Sequence, residues 1–152
     1  MKDGCVTIPE LINDKIIRIS GAKPCECSCE KCRSLCHTPC LGTPDDIERL
    51  IQSGYRDRLE LTHWFVGILA GVTDKVIVML QPRLEPNGWC TFRRADGLCE
   101  LHEKGLKPLE GKLASCAPRP VGWSIHKDFT WLIAKEWLPL QDTFSINLKK
   151  YE

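Results

Sequence analysis

Six cysteines fall within one short run of the chain, at Cys25, Cys27, Cys29, Cys32, Cys36 and Cys40. Three more, Cys90, Cys99 and Cys116, begin about fifty residues later, and Cys5 stands alone upstream. A single buried cysteine behaves as a small hydrophobe. Repeated short spacings have a different meaning, because they bring several sulfurs to one place. The chemistry open to such a set is a metal ion, an iron–sulfur cluster or disulfides. Cys25, Cys27 and Cys29 alternate, so an extended segment puts their side chains on one face. Cys29, Cys32, Cys36 and Cys40 stand at i, i+3, i+7 and i+11, which on a helix is one stripe. The Cys29-x2-Cys32 pair can clip one ion between two thiolates. Cys5 is read as a free thiol outside the site.

The compartment bears on the choice among these. The first residues, Met1 to Glu10, carry acids and no apolar signal core. The longest apolar stretches, from Trp64 to Val72 and from Val76 to Leu80, are far shorter than a bilayer requires. A cytoplasmic location is expected, where thiols are kept reduced and cysteine spacing favours metal over structural disulfide. A formal net charge of +1 gives no electrostatic argument for a nucleic-acid or membrane partner. The metal ion is the expected partner.

The elements that must position the sulfurs are read from pattern. Ile12, Ile16 and Ile19 have helix spacing, although an isoleucine-rich run also suits a strand. The cysteine run reads as a loop feeding a short helix that ends near His37, since Pro39 disfavours helical geometry at Thr38. The clearest helix follows it. Thr43 is a natural N-cap, Pro44 suits the first helical position, Asp45 and Asp46 complement the positive end, and Gly54 stops the helix. These acids have an ordinary helix role rather than a catalytic one. Residues 55–72 fit either a helix or a strand border, and His63 reads as a core or surface histidine. Val76 to Leu80 reads as a buried strand ended by Pro82.

Residues 89–102 read as a hairpin around Asp96-Gly97 that brings Cys90 and Cys99 near one another. His102 follows Cys99 with a spacing competent for zinc. A loop with a short helix leads to Cys116. Asp128 caps a last helix carrying Phe129, Leu132, Ile133 and Trp137, which Pro139 stops. Trp123, Trp131 and Trp137 read as core or cover.

Taken together, the Cys-x2-Cys-x3-Cys-x3-Cys run with its Thr-Pro-Asp-Asp-Ile sequel, and the later Gly-Leu-Cys-Glu-Leu-His hairpin leading to a last cysteine, resemble the CxxCxxCC, or YkgJ-like, cysteine-cluster family of zinc- or iron-chelating proteins. The resemblance spans about residues 25–117. It departs from the family pattern where Cys36 and Cys40 replace an adjacent pair, and where the Cys99 to Cys116 interval is long. It implies metal chelation through Cys29, Cys32, Cys36, Cys40, Cys90, Cys99 and Cys116, with Cys25, Cys27 or His102 completing the set. Lys23, Lys31, Arg33, Arg93 and Arg94 lie near these ligands in sequence and could offset thiolate charge.

The expectation is a small single α+β domain over residues 1–152, with its core at about 25–138, a leader before it and a tail after 138. Short helices and a hairpin surround a cysteine-rich metal site. Zinc held by thiolates is the first reading. An iron–sulfur protein for electron transfer or sensing is the second, and a thiol–disulfide redox protein the third. The chain has no Gly-rich phosphate loop, nucleophile elbow or His-Glu-x-x-His, so an enzyme is not favoured.

Overall fold

The computed structural model describes residues 10–24, 29–33, 40–114 and 119–141. Cys5, Cys25, Cys27, Cys36 and Cys116 lie outside them, as do His37, Pro39, Pro118 and the tail beyond Gln141. The described elements, in order, are α1 (Ile12–Ser20), α2 (Glu30–Arg33), α3 (Pro44–Gln52), β1 (Leu59–Trp64), α4 (Val66–Ala70), β2 (Ile77–Pro82), α5 (Leu109–Leu113) and α6 (Phe129–Lys135). Short 3-10 turns at Arg56–Arg58, Ile125–Lys127 and Leu138–Leu140 connect them. The architecture is α+β, with short helices and one two-stranded antiparallel sheet. Among the described residues no helix is long and apolar enough to cross a membrane.

Isoleucine spacing decides for a helix in α1. Ile16 is buried, Ile17 and Ile19 pack on the core, and α1 lies against α6. The expected α3 is present with its cap. The Thr43 hydroxyl accepts the Asp46 backbone N–H at 3.3 Å, and the Asp46 carboxylate accepts the Thr43 N–H at 3.1 Å. Each side chain thus satisfies an amide that the helix start would leave orphaned. Gly54, with φ +93°, follows the last turn as the stop.

Residues 55–72 divide between the two readings, as strand β1 and then short helix α4. β1 pairs with β2 in the register Leu59↔Pro82 through Trp64↔Ile77. β2 is buried along nearly its whole length, as its unbroken apolar run requires, and its last residue is Pro82. His63 is exposed on β1. Beneath the sheet Trp64 stacks on Trp131 of α6, with centroids 6.1 Å apart. Trp131 and Trp137 belong to the core, while half-buried Trp123 donates its ring N–H to Asp128 at 3.2 Å.

Cys40 lies outside any helix, in keeping with a helix that ends before Pro39, and the described part of the helix in the cysteine run is α2. Two local expectations, the stop at Pro139 and the cap at Asp128, are corrected. The last helix ends at Lys135, and Pro139 sits inside the following 3-10 turn instead of terminating the helix itself. Asp128 occupies the N-cap position of α6 but makes no side-chain cap bond there; its carboxylate accepts from Trp123.

Candidate metal centre

The first half of the site hangs from the segment Cys40 to Thr43. Glu110, at the start of α5, holds Leu41 on both sides. Its backbone N–H donates to the Leu41 carbonyl at 3.0 Å, and its carboxylate accepts the Leu41 N–H at 3.0 Å. The Thr130 hydroxyl donates to the other carboxylate oxygen at 2.7 Å. One residue on, Trp137 donates its ring N–H to the Gly42 carbonyl at 2.9 Å. A side chain at position 42 would meet Asp46 Cβ at 2.9 Å and Pro108 Cβ at 3.0 Å, so glycine allows this strand of chain to press against its neighbours.

Asp46, 2% exposed, then ties three elements together. It accepts from Asn13 of α1 at 2.8 Å, from the Thr43 N–H, from Arg49 at 2.6 Å and from the Leu109 N–H at 2.9 Å. The residue after Cys40 is therefore fixed to α5, Gly42 to the turn after α6, Thr43 to α1, and Asp46 to α1 and α5.

The second half is the loop from Leu84 to Leu101. Two strand runs were expected here; what forms is a pair of isolated bridges, Leu84↔Cys90 and Arg93↔Cys99. The turn falls where Asp96-Gly97 predicts it. Gly97 donates to the Arg94 carbonyl at 2.9 Å, Arg94 donates to the Leu98 carbonyl at 2.7 Å, and Gly97 has φ +84°. A type I turn completed by a left-handed glycine has this pattern. The Asp96 carboxylate accepts the Leu98 N–H at 3.0 Å and pairs with Arg94.

Arg58, just before β1, supports the loop from below. It donates to the Thr91 carbonyl at 2.6 Å and to both oxygens of Glu100, and lies over the Phe92 ring at 4.2 Å. Cys90 is buried within the core, and Cys99 packs against it.

These two halves share one neighbourhood at Cys40. The residue as a whole is half-buried, yet its thiol is the desolvated part, and that burial pushes the thiol well above its ordinary range. Negative charge at Glu110, Cys90 and Cys99 pushes the same way, and the Lys107 ammonium opposes them. The Cys40 thiol thus lies within electrostatic reach of Cys90 and Cys99, about fifty residues further along the chain. The surroundings hold an uncoordinated Cys40 thiol in its neutral form.

Of the other predicted ligands, Cys29 is exposed and Cys32 half-buried, beside and on α2. His102 is exposed. Cys25, Cys27, Cys36 and Cys116 fall outside the described residues. Among the described residues no three His, Cys, Asp or Glu side chains are gathered closely enough to hold a metal ion.

The chemistry of the donor set still fits a soft cation. Cys40, Cys90 and Cys99 offer sulfur donors, the preference of zinc and of iron–sulfur clusters. A second observation concerns Arg93, whose Nε is buried without a hydrogen-bond partner while its guanidinium lies 3.8 Å over Trp89. Arg93 stands opposite Cys99 in the bridge, and directly paired residues of antiparallel chains share a face. An orphaned cationic donor beside a cysteine suits an anionic sulfur. Arg94, also expected to offset thiolate charge, is engaged by Asp96 and Glu103.

Glu110 and Gly111 were not legible as site residues. Leu-Glu-Gly-Lys-Leu is an unremarkable helical pentapeptide, and only the fold brings it against Cys40. No protein-family model, curated protein or solved structure matches the chain.

Proposed function

We propose that this chain is a metal-binding protein that chelates zinc through cysteine thiolates drawn from two distant parts of the sequence. The observation that carries the reading is the shared neighbourhood of Cys40, from the first cysteine run, with Cys90 and Cys99 from the later loop. Nothing in apolar packing calls for three cysteines there, and three thiolates with the Glu110 carboxylate near Cys40 would need a cation to compensate their charge. Cys40, Cys90 and Cys99 would hold the ion or ions with Cys29 and Cys32. Cys25, Cys27, Cys36 and Cys116 are the further ligands proposed from spacing.

Bound zinc would supply charge compensation and a cross-link between segments. A fully thiolate shell leaves no open position for chemistry, so the role is structural or metal-handling rather than catalytic. Membership of the YkgJ-like cysteine-cluster family and a cytoplasmic location belong to the same proposal.

An iron–sulfur cluster is the second reading, favoured by the orphaned Arg93 Nε, since N–H donors to sulfur are among the devices that set cluster potential. The thiol–disulfide reading is weakened at Cys40. Reactive cysteines have lowered pKa values in electropositive, accessible places, and Cys40 has the reverse.

Anaerobic purification from iron-replete cells, followed by a visible spectrum and metals per chain, separates the three. A colourless protein with stoichiometric zinc is expected. A brown protein with stoichiometric iron would replace zinc by the cluster, and metal-free protein with disulfides by mass would overturn both.

A further inference from the structure

Gly111 lies inside α5, where glycine is the poorest helix former short of proline. It is absent from the glycines with left-handed φ, so backbone conformation does not call for it. What does is a close approach. A Cβ at position 111 would stand 2.8 Å from the Cys40 sulfur, closer than such atoms tolerate. Its other neighbours there are Lys107 Cγ at 3.2 Å and Cε at 3.3 Å, on a flexible side chain that can swing away. The sulfur is less free, because Leu41, the next residue, is held on both sides by Glu110. A methyl at 111 would therefore rotate the Cys40 side chain away or separate the Cys40 segment from α5.

We infer that Gly111 is a positioning residue for the metal: it leaves open the face of α5 on which the Cys40 sulfur rests, and so sets where that sulfur stands relative to Cys90 and Cys99. Glu110 and Gly111 divide the work, one holding the backbone beyond Cys40 and the other seating its side chain. The inference rests on the thiolate-chelation reading and extends it to a residue with no ligand atom of its own.

Helix propensity and the inference make opposite predictions for Gly111→Ala. Propensity alone makes it a stabilising change. A misplaced ligand makes it one that weakens metal binding, by about 10–100-fold on the scale of outer-shell substitutions. The experiment is titration of the reduced full chain with Co²⁺ and then Zn²⁺ against a competing chelator, with thiolate-to-cobalt charge-transfer absorption as the second readout. Wild type, Gly111→Ala, Cys40→Ala and the double variant Cys40→Ala/Gly111→Ala are compared.

The expected result is weaker binding and lower charge-transfer intensity in Gly111→Ala, with no further loss from Gly111→Ala once Cys40 is alanine. Wild-type affinity and spectrum in Gly111→Ala would overturn the inference and leave the chelation reading standing. So would an equal loss in both backgrounds, which would put the effect of Gly111 elsewhere. Should Gly111→Ala fail to fold by circular dichroism, recovery of folding in the double variant supports the contact, and a double variant that stays unfolded while Cys40→Ala folds overturns it. Reduced wild type that takes up neither ion would sink the chelation reading itself.

Discussion

Asp46 shows how one side chain can be read correctly and still be underestimated. Its place in the first turn of α3 suits the positive helix end, and its carboxylate also closes a capping box with Thr43. Spacing cannot show that the same carboxylate also receives the Leu109 amide and the Asn13 side chain. Replacing Asp46 by alanine leaves the buried Thr43 and Leu109 amides without acceptors, at about 1–3 kcal/mol each. A loss of about 3 kcal/mol or more in denaturant unfolding is expected. Its exposed neighbour Asp45 has no such partners, and Asp45→Ala should cost no more than about 1 kcal/mol. Equal costs would show that helix electrostatics alone explains both acids.

Gly42→Ala should cost about 1–3 kcal/mol by overpacking against Asp46 and Pro108. Differential scanning calorimetry that finds the variant as stable as wild type would contradict the tight seating of the Cys40 segment.

Asp96 offers a test by pH. Arg94 beside it, helped by the Leu98 N–H, lowers its carboxyl from 3.8 to about 2. A depressed carboxyl contributes stability above its unfolded value, lost as pH falls from there towards the folded value. NMR titration should find the Asp96 midpoint near 2, moving back up towards 3.8 in Arg94→Gln. An unchanged midpoint would mean the pair does not persist in solution.

Among the elements, those defined by local chemistry are the ones the residues announce. The α3 cap, the β2 run and the Asp96-Gly97 turn depend on neighbours in sequence, and each lies where its residues place it. The choice between helix and strand in β1 was not legible. Leu59 and Leu61 alternate as in a strand while Leu61, Trp64, Phe65 and Ile68 follow helix spacing, and pairing with β2 decides it. The loop around Cys90 and Cys99 resembles a hairpin in sequence but forms isolated bridges, with Arg58 tying Thr91 and Glu100 across it. A lone arginine before a strand gives no sign of this in advance.

That tie is itself testable. Arg58→Met keeps apolar contact with Phe92 while removing the bonds to Thr91 and Glu100. Both partners of the Arg58–Glu100 pair are 30% exposed, so a loss of about 1–3 kcal/mol is expected. Faster hydrogen exchange should accompany it at the Glu100 and Arg94 amides, whose acceptors are Phe92 and Leu98. Unchanged exchange there would show that the loop holds itself.

At the scale of the whole molecule, α5 is the junction. It touches the Cys40 segment through Glu110 and Gly111, packs on α6, and leads towards Cys116. The expectation that the two separated cysteine groups meet comes from their number and from the family resemblance. The helix that seats one of them was not legible, because contact across seventy residues leaves no local pattern. If metal ties the halves, removing it should loosen both together, and replacing a ligand in one half should be felt in the other.

The most direct test is metals per chain, with thermal unfolding, for anaerobically purified wild type and Cys99→Ser. Cys99→Ser is expected to lose bound metal and to unfold at lower temperature, although Cys29, Cys32 and Cys40 in the first half are untouched. Wild-type metal content and stability in Cys99→Ser would contradict a metal tie between the halves.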